Sequence, residues 1–184
     1  MRSKLAVFLD RDGVLTVEKG YVHSIEDLEI FPYAKECIRL IHEKGYLAIV
    51  VTNQSGVARG YFTETQLLEM NRYLMQETGV DAVYYCPHYE NGVIEKYAYK
   101  CNCRKPEVGL VQQACQDFHI DLRDRRKLYM IGDRVSDIRL GQNMGFTTVL
   151  LESGYGTGRM EGSITPDYIL EDLRDVIKIM GMGE

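Results

Sequence analysis

Asp10 and Asp12, in Asp10-Arg11-Asp12-Gly13-Val14, are the residues of this chain best suited to chemistry. Two carboxylates this close repel each other, and a metal cation is the usual compensation. The pair also permits a division of labour. One carboxylate can attack phosphorus while the other handles the leaving group's proton. The plainer alternative is a strand followed by an acidic turn. Other polar residues also follow apolar runs. Thr52-Asn53 follows Leu47 to Val51, Gly132-Asp133 follows Leu128 to Ile131, and Asp137 comes four residues after Asp133. Lys105 stands before Pro106, ahead of a helical pattern.

A second constellation is Cys86-Pro87-His88 and Cys101-Asn102-Cys103, bracketing a twelve-residue segment. Three thiols and one imidazole suit tetrahedral Zn2+, and four protein ligands leave no open position, so this zinc is expected to be structural. One-residue spacers demand tight turns, which Pro87 and Asn102 favour. The clip would fold a loop too small for a core and present Arg104 and Lys105 beside Cys103. The plainer alternative is that Cys86 and His88 end a strand and the other thiols lie on a loop. Cys37 and Cys115 read as small core hydrophobes. His42 and His119 read as structural or exposed, whereas His23, after Gly20-Tyr21-Val22, is placed to approach a substrate.

These residues need elements to hold them. Leu5 to Leu9 is an apolar run too short for a helix and reads as a buried strand, with Asp10 at its carboxyl end, where open α/β sheets bind ligands. Strands are also expected at Tyr46 to Thr52, Ala82 to Tyr85, Leu128 to Ile131 and Thr147 to Leu151. Helices are expected around Ala34 to Ile41, after Thr63 with its capping partner Gln66, and over Val108 to Phe118, Ser136 to Met144 and Leu170 to Met180. This alternation implies an α/β fold, a doubly wound parallel sheet. Gly154-Tyr155-Gly156-Thr157-Gly158 reads as a flexible loop, since Pro166 and polar residues follow rather than a helix start.

With 184 residues, 45% of them hydrophobic and 27% charged, the chain suits one globular domain spanning 1–184, with a zinc loop at 86–104. A net charge of −5 and the lack of any basic block longer than Arg123 to Lys127 argue against a nucleic-acid partner. That short block reads as a solvated loop. No apolar stretch is long enough for a membrane span, and no secretory pattern opens the chain. A cytoplasmic monomer without disulfides is expected.

The order of an acidic pair, a hydroxyl, a lysine and a second acidic pair resembles the four motifs of the haloacid dehalogenase superfamily of phosphohydrolases. Cys-x-His followed by Cys-x-Cys-Arg-Lys-Pro further resembles the heptose-1,7-bisphosphate 7-phosphatases and the related histidinol-phosphate phosphatases. Gly20-Tyr21-Val22-His23, Thr52-Asn53-Gln54-Ser55-Gly56 and Tyr84-Tyr85-Cys86-Pro87-His88 read like the heptose branch. Val14 stands where many relatives carry threonine.

The resemblance implies a Rossmann-like strand order 3-2-1-4-5 without a cap domain, and hydrolysis of a small phosphorylated sugar. It implies Asp10 as nucleophile, Asp12 as acid and base, and Thr52 and Lys105 as stabilisers of the phosphoryl group. Mg2+ would be held by Asp10, Asp133 and the carbonyl of Asp12, with Asp137 orienting a bound water. Zn2+ would be held by Cys86, His88, Cys101 and Cys103. Glu18, Lys19, Gly20, Tyr21, Asn53, Gln54, Ser55 and Arg104 would line the substrate side. Lys19 and Arg104 would be available for a second phosphate.

Overall fold

In the computed structural model, which describes residues 4–156 and 164–180, the apolar runs become the strands of one parallel sheet. In chain order the elements are β1 (Leu5–Leu9), α1 (Ala34–Glu43), β2 (Tyr46–Asn53), α2 (Glu64–Thr78), β3 (Ala82–Cys86), α3 (Gly109–Phe118), β4 (Tyr129–Gly132), α4 (Val135–Met144), β5 (Thr147–Leu151), β6 (Tyr168–Leu170) and α5 (Leu173–Ile179). The strand order is 3-2-1-4-5-6.

The runs are continuous because both faces of the sheet are covered. On β1, Val7 and Leu9 face one apolar cluster, and Ala6 and Phe8 face another. The first cluster includes Ile38 and Ile41 of α1, Leu67, Met70 and Leu74 of α2, and Leu173 and Val176 of α5. The second takes Leu110, Val111 and Ala114 of α3, Leu140 and Met144 of α4, and Phe146, which stacks on Phe8 at 5.5 Å. Cys37 and Cys115 are buried in these two layers.

Local signals end the helices where expected. Thr63 accepts from the backbone of Gln66 in a capping box that opens α2, and Gly79 closes that helix in the left-handed conformation. The segments at 10–33 and 87–108 carry only isolated bridges or a single 3-10 turn, so neither builds a cap over the sheet.

The carboxyl end of the chain departs from expectation. The helix expected over Leu170 to Met180 begins at Leu173, and a sixth strand precedes it. Tyr168 and Ile169 are exposed at the sheet edge, so β6 lacks the apolar signature of the inner strands. It is held instead by Asp167, which accepts from the Thr148 amide and hydroxyl on β5 and from Arg126. Arg126 is therefore committed to the fold rather than simply solvated. Asp172, accepting from the Arg174 amide, caps the shortened helix.

Candidate active site

β2, β1 and β4 are neighbours in the sheet, and Leu9 pairs with both Val50 and Ile131. Their carboxyl ends therefore bring Thr52, Asp10 and Asp133 side by side. The Asp10 amide still donates to the Ile131 carbonyl, which fixes its backbone as a continuation of the strand. Gly13, at φ +80°, then turns the chain away. A cavity of about 510 Å3 opens over these ends, in the usual size range of small-ligand sites.

At its base, Asp10, Asp133 and Asp137 each offer a carboxylate oxygen, all within 4.8 Å of one another. Lys105 is their one buried cation. Its Nζ lies 2.9 Å from Asp10 Oδ1 and 2.7 Å from Asp137 Oδ1, and donates to the Val51 carbonyl. Burial pushes the Asp133 carboxyl up to about 8, with help from the charges of Asp10 and Asp137. Burial also raises Asp137, to about 6, against the pull of Lys105.

One Asp133 oxygen, Oδ1, is buried without a hydrogen-bond partner, and the nearest cation, Arg134 Nε, is 3.9 Å away. The other, Oδ2, accepts from the Tyr155 amide. Three buried carboxylates that one ammonium cannot neutralise, with one oxygen left unpartnered, make an oxygen donor set that fits a hard divalent cation such as Mg2+.

Asp12 is held differently. Burial would raise its carboxyl, but the charge of Arg11 and hydrogen bonds from Arg11, Gln54 and Thr16 bring it below the usual carboxylate range. Arg11 grips both Asp12 oxygens at 3.0 Å. Gln54 Nε2 donates to Asp12 Oδ2 and to Thr52 Oγ1, while its Oε1 accepts from Arg11. Thr52 thus accepts from Gln54 and keeps its own O–H to donate. The Asn53 amide clasps the Lys105 backbone, accepting from its N–H and donating to its C=O.

Ten of the expected residues line the cavity with Asp10: Asp12, Glu18, Gly20, Tyr21, Thr52, Asn53, Gln54, Ser55, Arg104 and Lys105. Lys19 and His23 are not among the lining residues. Lys19 pairs with Glu29 at 2.8 Å, while its neighbour Glu18 lines the cavity and accepts from Arg134 and the Gly20 amide. His23 is exposed beside Asp27.

The sequence reading missed Arg59, Tyr89, Arg134, Ser136 and Tyr155, all on the cavity wall. Gly154-Tyr155-Gly156 is not a free loop. A Cβ on Gly154 would collide with Asp133 Oδ2, so only glycine lets this segment close on the acid. The rest of that motif, Thr157 and Gly158, lies outside the described residues.

The four expected zinc ligands converge. Cys103 Sγ is 3.1 Å from Cys86 Sγ, 3.2 Å from Cys101 Sγ and 3.2 Å from His88 Nδ1. Cys86 and Cys101 are 3.5 Å apart. These separations far exceed a disulfide bond. They approach the edges, about 3.7 Å, of a tetrahedron with ~2.3 Å metal–sulfur bonds. Hydrogen bonding with Cys86 pulls the Cys103 thiol down to about 5, while Cys86 is pushed up by the same contact and by burial. Tyr99 Oη lies 2.6 Å from His88 Nε2, an outer partner that orients the ring with Nδ1 toward the sulfurs.

Comparison with known proteins places this geometry. Residues 102–176 match the HAD-hydrolase-like family. The D-glycero-beta-D-manno-heptose-1,7-bisphosphate 7-phosphatase of Haemophilus ducreyi is 41% identical, covering 95% of this chain and 97% of its own length. Its Pasteurella multocida counterpart is 38% identical, covering 96% and 97%. A solved structure of D,D-heptose 1,7-bisphosphate phosphatase from B. bronchiseptica, complexed with magnesium and phosphate, aligns with TM-score 0.78 and 28% identity over 95% of this chain and 96% of that one. The chain is a phosphohydrolase and belongs to the D-glycero-beta-D-manno-heptose-1,7-bisphosphate 7-phosphatase family of haloacid dehalogenase-like hydrolases.

Proposed function

We propose that this enzyme removes the 7-phosphate of D-glycero-D-manno-heptose 1,7-bisphosphate through an aspartyl-phosphate on Asp10. The observation that carries this reading is Asp10 held against the Lys105 ammonium and within 4.8 Å of carboxylate oxygens of Asp133 and Asp137, in a cavity walled by arginines.

Asp10, Asp133 and the Asp12 carbonyl would hold Mg2+, with Asp137 beside them. Bound there, the cation screens the repulsion between an anionic nucleophile and an anionic phosphate. The Asp10 carboxylate attacks phosphorus in line, and the bond from phosphorus to the sugar oxygen breaks. Asp12 gives that oxygen a proton. It then takes a proton from a water that attacks the phosphorus of the aspartyl-phosphate. The bond from phosphorus to the Asp10 oxygen breaks, and inorganic phosphate leaves with Asp10 restored. Its grip by Arg11, Gln54 and Thr16 suits the second role. For the first it must gain a proton, which an incoming anionic phosphate favours. The free Thr52 O–H and the Lys105 ammonium donate to the equatorial phosphoryl oxygens.

Phosphate release tests the reading directly. Wild-type enzyme with Mg2+ is expected to prefer heptose 1,7-bisphosphate over fructose 1,6-bisphosphate and histidinol phosphate, and to lose turnover in a chelator that strips Mg2+. Preference for histidinol phosphate would replace the substrate.

The Cys3His set would hold one structural Zn2+ per chain. Cys101→Ser is expected to lower zinc content and loosen the loop carrying Arg104 and Lys105, so that activity falls indirectly. Elemental analysis of protein purified without chelators checks it. No zinc in the wild type, or unchanged zinc in the variant, contradicts the assignment.

Arg104 would recognise substrate rather than drive chemistry. It is held next to Cys103, and its guanidinium donates to the His88 carbonyl. Arg104→Ala is expected to cut kcat/KM for heptose bisphosphate by roughly ten- to a hundredfold, the loss of one charge-assisted contact. An aryl phosphate, which has no far phosphate or sugar hydroxyl, should lose far less. Equal losses on both would move Arg104 into the catalytic set.

A further inference from the structure

The cations around the cavity are not equally committed. Lys105 is paired with Asp10 and Asp137, and Arg134 with Glu18. The buried Arg11 is paired with Asp12. Among the described residues, Arg59 and Arg104 line the cavity with no carboxylate at ion-pair distance. Both guanidinium groups lie against the same ring, that of Tyr89, at 3.9 Å for Arg59 and 5.3 Å for Arg104. Two like charges gathered at one ring are best satisfied by an anion between them. Arg59 Nε is moreover buried without a hydrogen-bond partner, a donor left without an acceptor.

The position of Arg59 is built rather than incidental. The Ala58 carbonyl accepts from the Val93 and Ile94 amides, which pins the backbone before Arg59 to the loop between the zinc ligands. Tyr89 follows the ligand His88 directly, so the same loop supplies the platform. A guanidinium held against a ring, with its Nε left unpartnered, has N–H groups to spare for two oxygens of a phosphate. Arg59 also approaches Tyr21, which packs edge-on against Tyr61. Both tyrosines are about half exposed, whereas Asp10 is 6% exposed. Arg59 therefore belongs to the mouth of the cavity and Asp10 to its base.

We propose that Arg59 and Arg104 form a two-arginine clamp on the phosphate that is not transferred, and that Arg59 makes the enzyme select sugar bisphosphates over monophosphates. The proposal rests on the reading of the cavity as a sugar-phosphate site and adds to it a residue that determines specificity.

The readout is the ratio of kcat/KM for a bisphosphate to that for the monophosphate keeping only the transferred group. Two pairs serve: heptose 1,7-bisphosphate against heptose 7-phosphate, and fructose 1,6-bisphosphate against fructose 6-phosphate. Arg59→Ala should lower the ratio by about ten- to a hundredfold. Arg59→Lys should fall between, because an ammonium keeps the charge without the fork. Tyr89→Leu should lower the ratio in the same direction by removing the platform. It also guards against an Arg59→Ala variant that fails to fold. The double variant with Arg104→Ala should lose less than the product of the single losses, since both residues serve one anion.

An unchanged ratio in folded Arg59→Ala, or a wild type with no preference for bisphosphates, would overturn the clamp and leave the phosphatase reading standing. A wild type that turns over the fructose pair but not the heptose pair would overturn the heptose assignment instead, and the clamp would be decided on the fructose ratio.

Discussion

Asp10→Asn is expected to abolish turnover while leaving the fold intact. Asparagine matches aspartate in shape, and its amide can still accept at the position where Asp10 Oδ1 meets the Arg11 amide at 2.7 Å. What it cannot do is attack phosphorus, so the loss should be of the order of ten thousand- to a millionfold, as for other enzymes that lose a covalent nucleophile. The fold should not suffer. The charge of Asp10 works against the ionised form of Asp133, and removing it relieves that repulsion. In buffer without Mg2+ the variant should melt at or above the wild-type temperature. Phosphate release and thermal melts on one preparation decide both points, with mass spectrometry to exclude deamidation back to aspartate. Wild-type-like turnover in asparagine-bearing protein would remove Asp10 as nucleophile.

Asp10, Thr52 and Asp133 were legible because each follows an apolar run buried on both faces, and a parallel sheet can only bring such strand ends together. The Cys86, His88, Cys101 and Cys103 cluster was legible because thiols and an imidazole, paired at one-residue spacing, serve a coreless loop chiefly as metal donors. Side-chain direction within a loop was not. Glu18 and Lys19 are neighbours of opposite charge, and nothing local says which turns inward; the answer comes from Arg134, a contact 116 residues away. Asn53 and Gln54 line the cavity as expected, yet their amides are largely spent on Lys105, Asp12, Thr52 and Arg11. Arg59 was invisible for a related reason. One arginine in a loop carries no periodic signal, and its partner Tyr89 is thirty residues on, in the loop between His88 and Cys101. The edge strand β6 is three residues long with two of them exposed, so burial left no pattern in its sequence. Asp172, a good helix-capping residue just before Leu173, was the signal that marked the true start of α5.

Lys105→Met separates what the lysine does for the fold from what it does for the reaction. Methionine fills much of the same space without the charge. In the wild type, burial would lower the lysine, but the charges of Asp10 and Asp137 outweigh it and hold the ammonium above its ordinary range. Its removal leaves three converging carboxylates with no buried counter-charge and the Val51 carbonyl with no side-chain donor. Breaking a buried ion pair from one side costs about 3–5 kcal/mol. Without Mg2+ the melting temperature should therefore fall by on the order of 10 °C. Added Mg2+ should restore part of that loss, because a divalent cation can neutralise the same carboxylates. It should not restore activity. The ammonium is the side-chain cation held against Asp10, and losing one preorganised charge at the transferring group costs about a hundred- to a thousandfold in kcat. That loss should be similar for an aryl phosphate and for heptose bisphosphate, since every substrate brings the group that is transferred. A variant melting with the wild type in Mg2+-free buffer would show that the ammonium does not offset these carboxylates. A loss confined to the bisphosphate would move Lys105 away from the transferred phosphate and towards the mouth of the cavity.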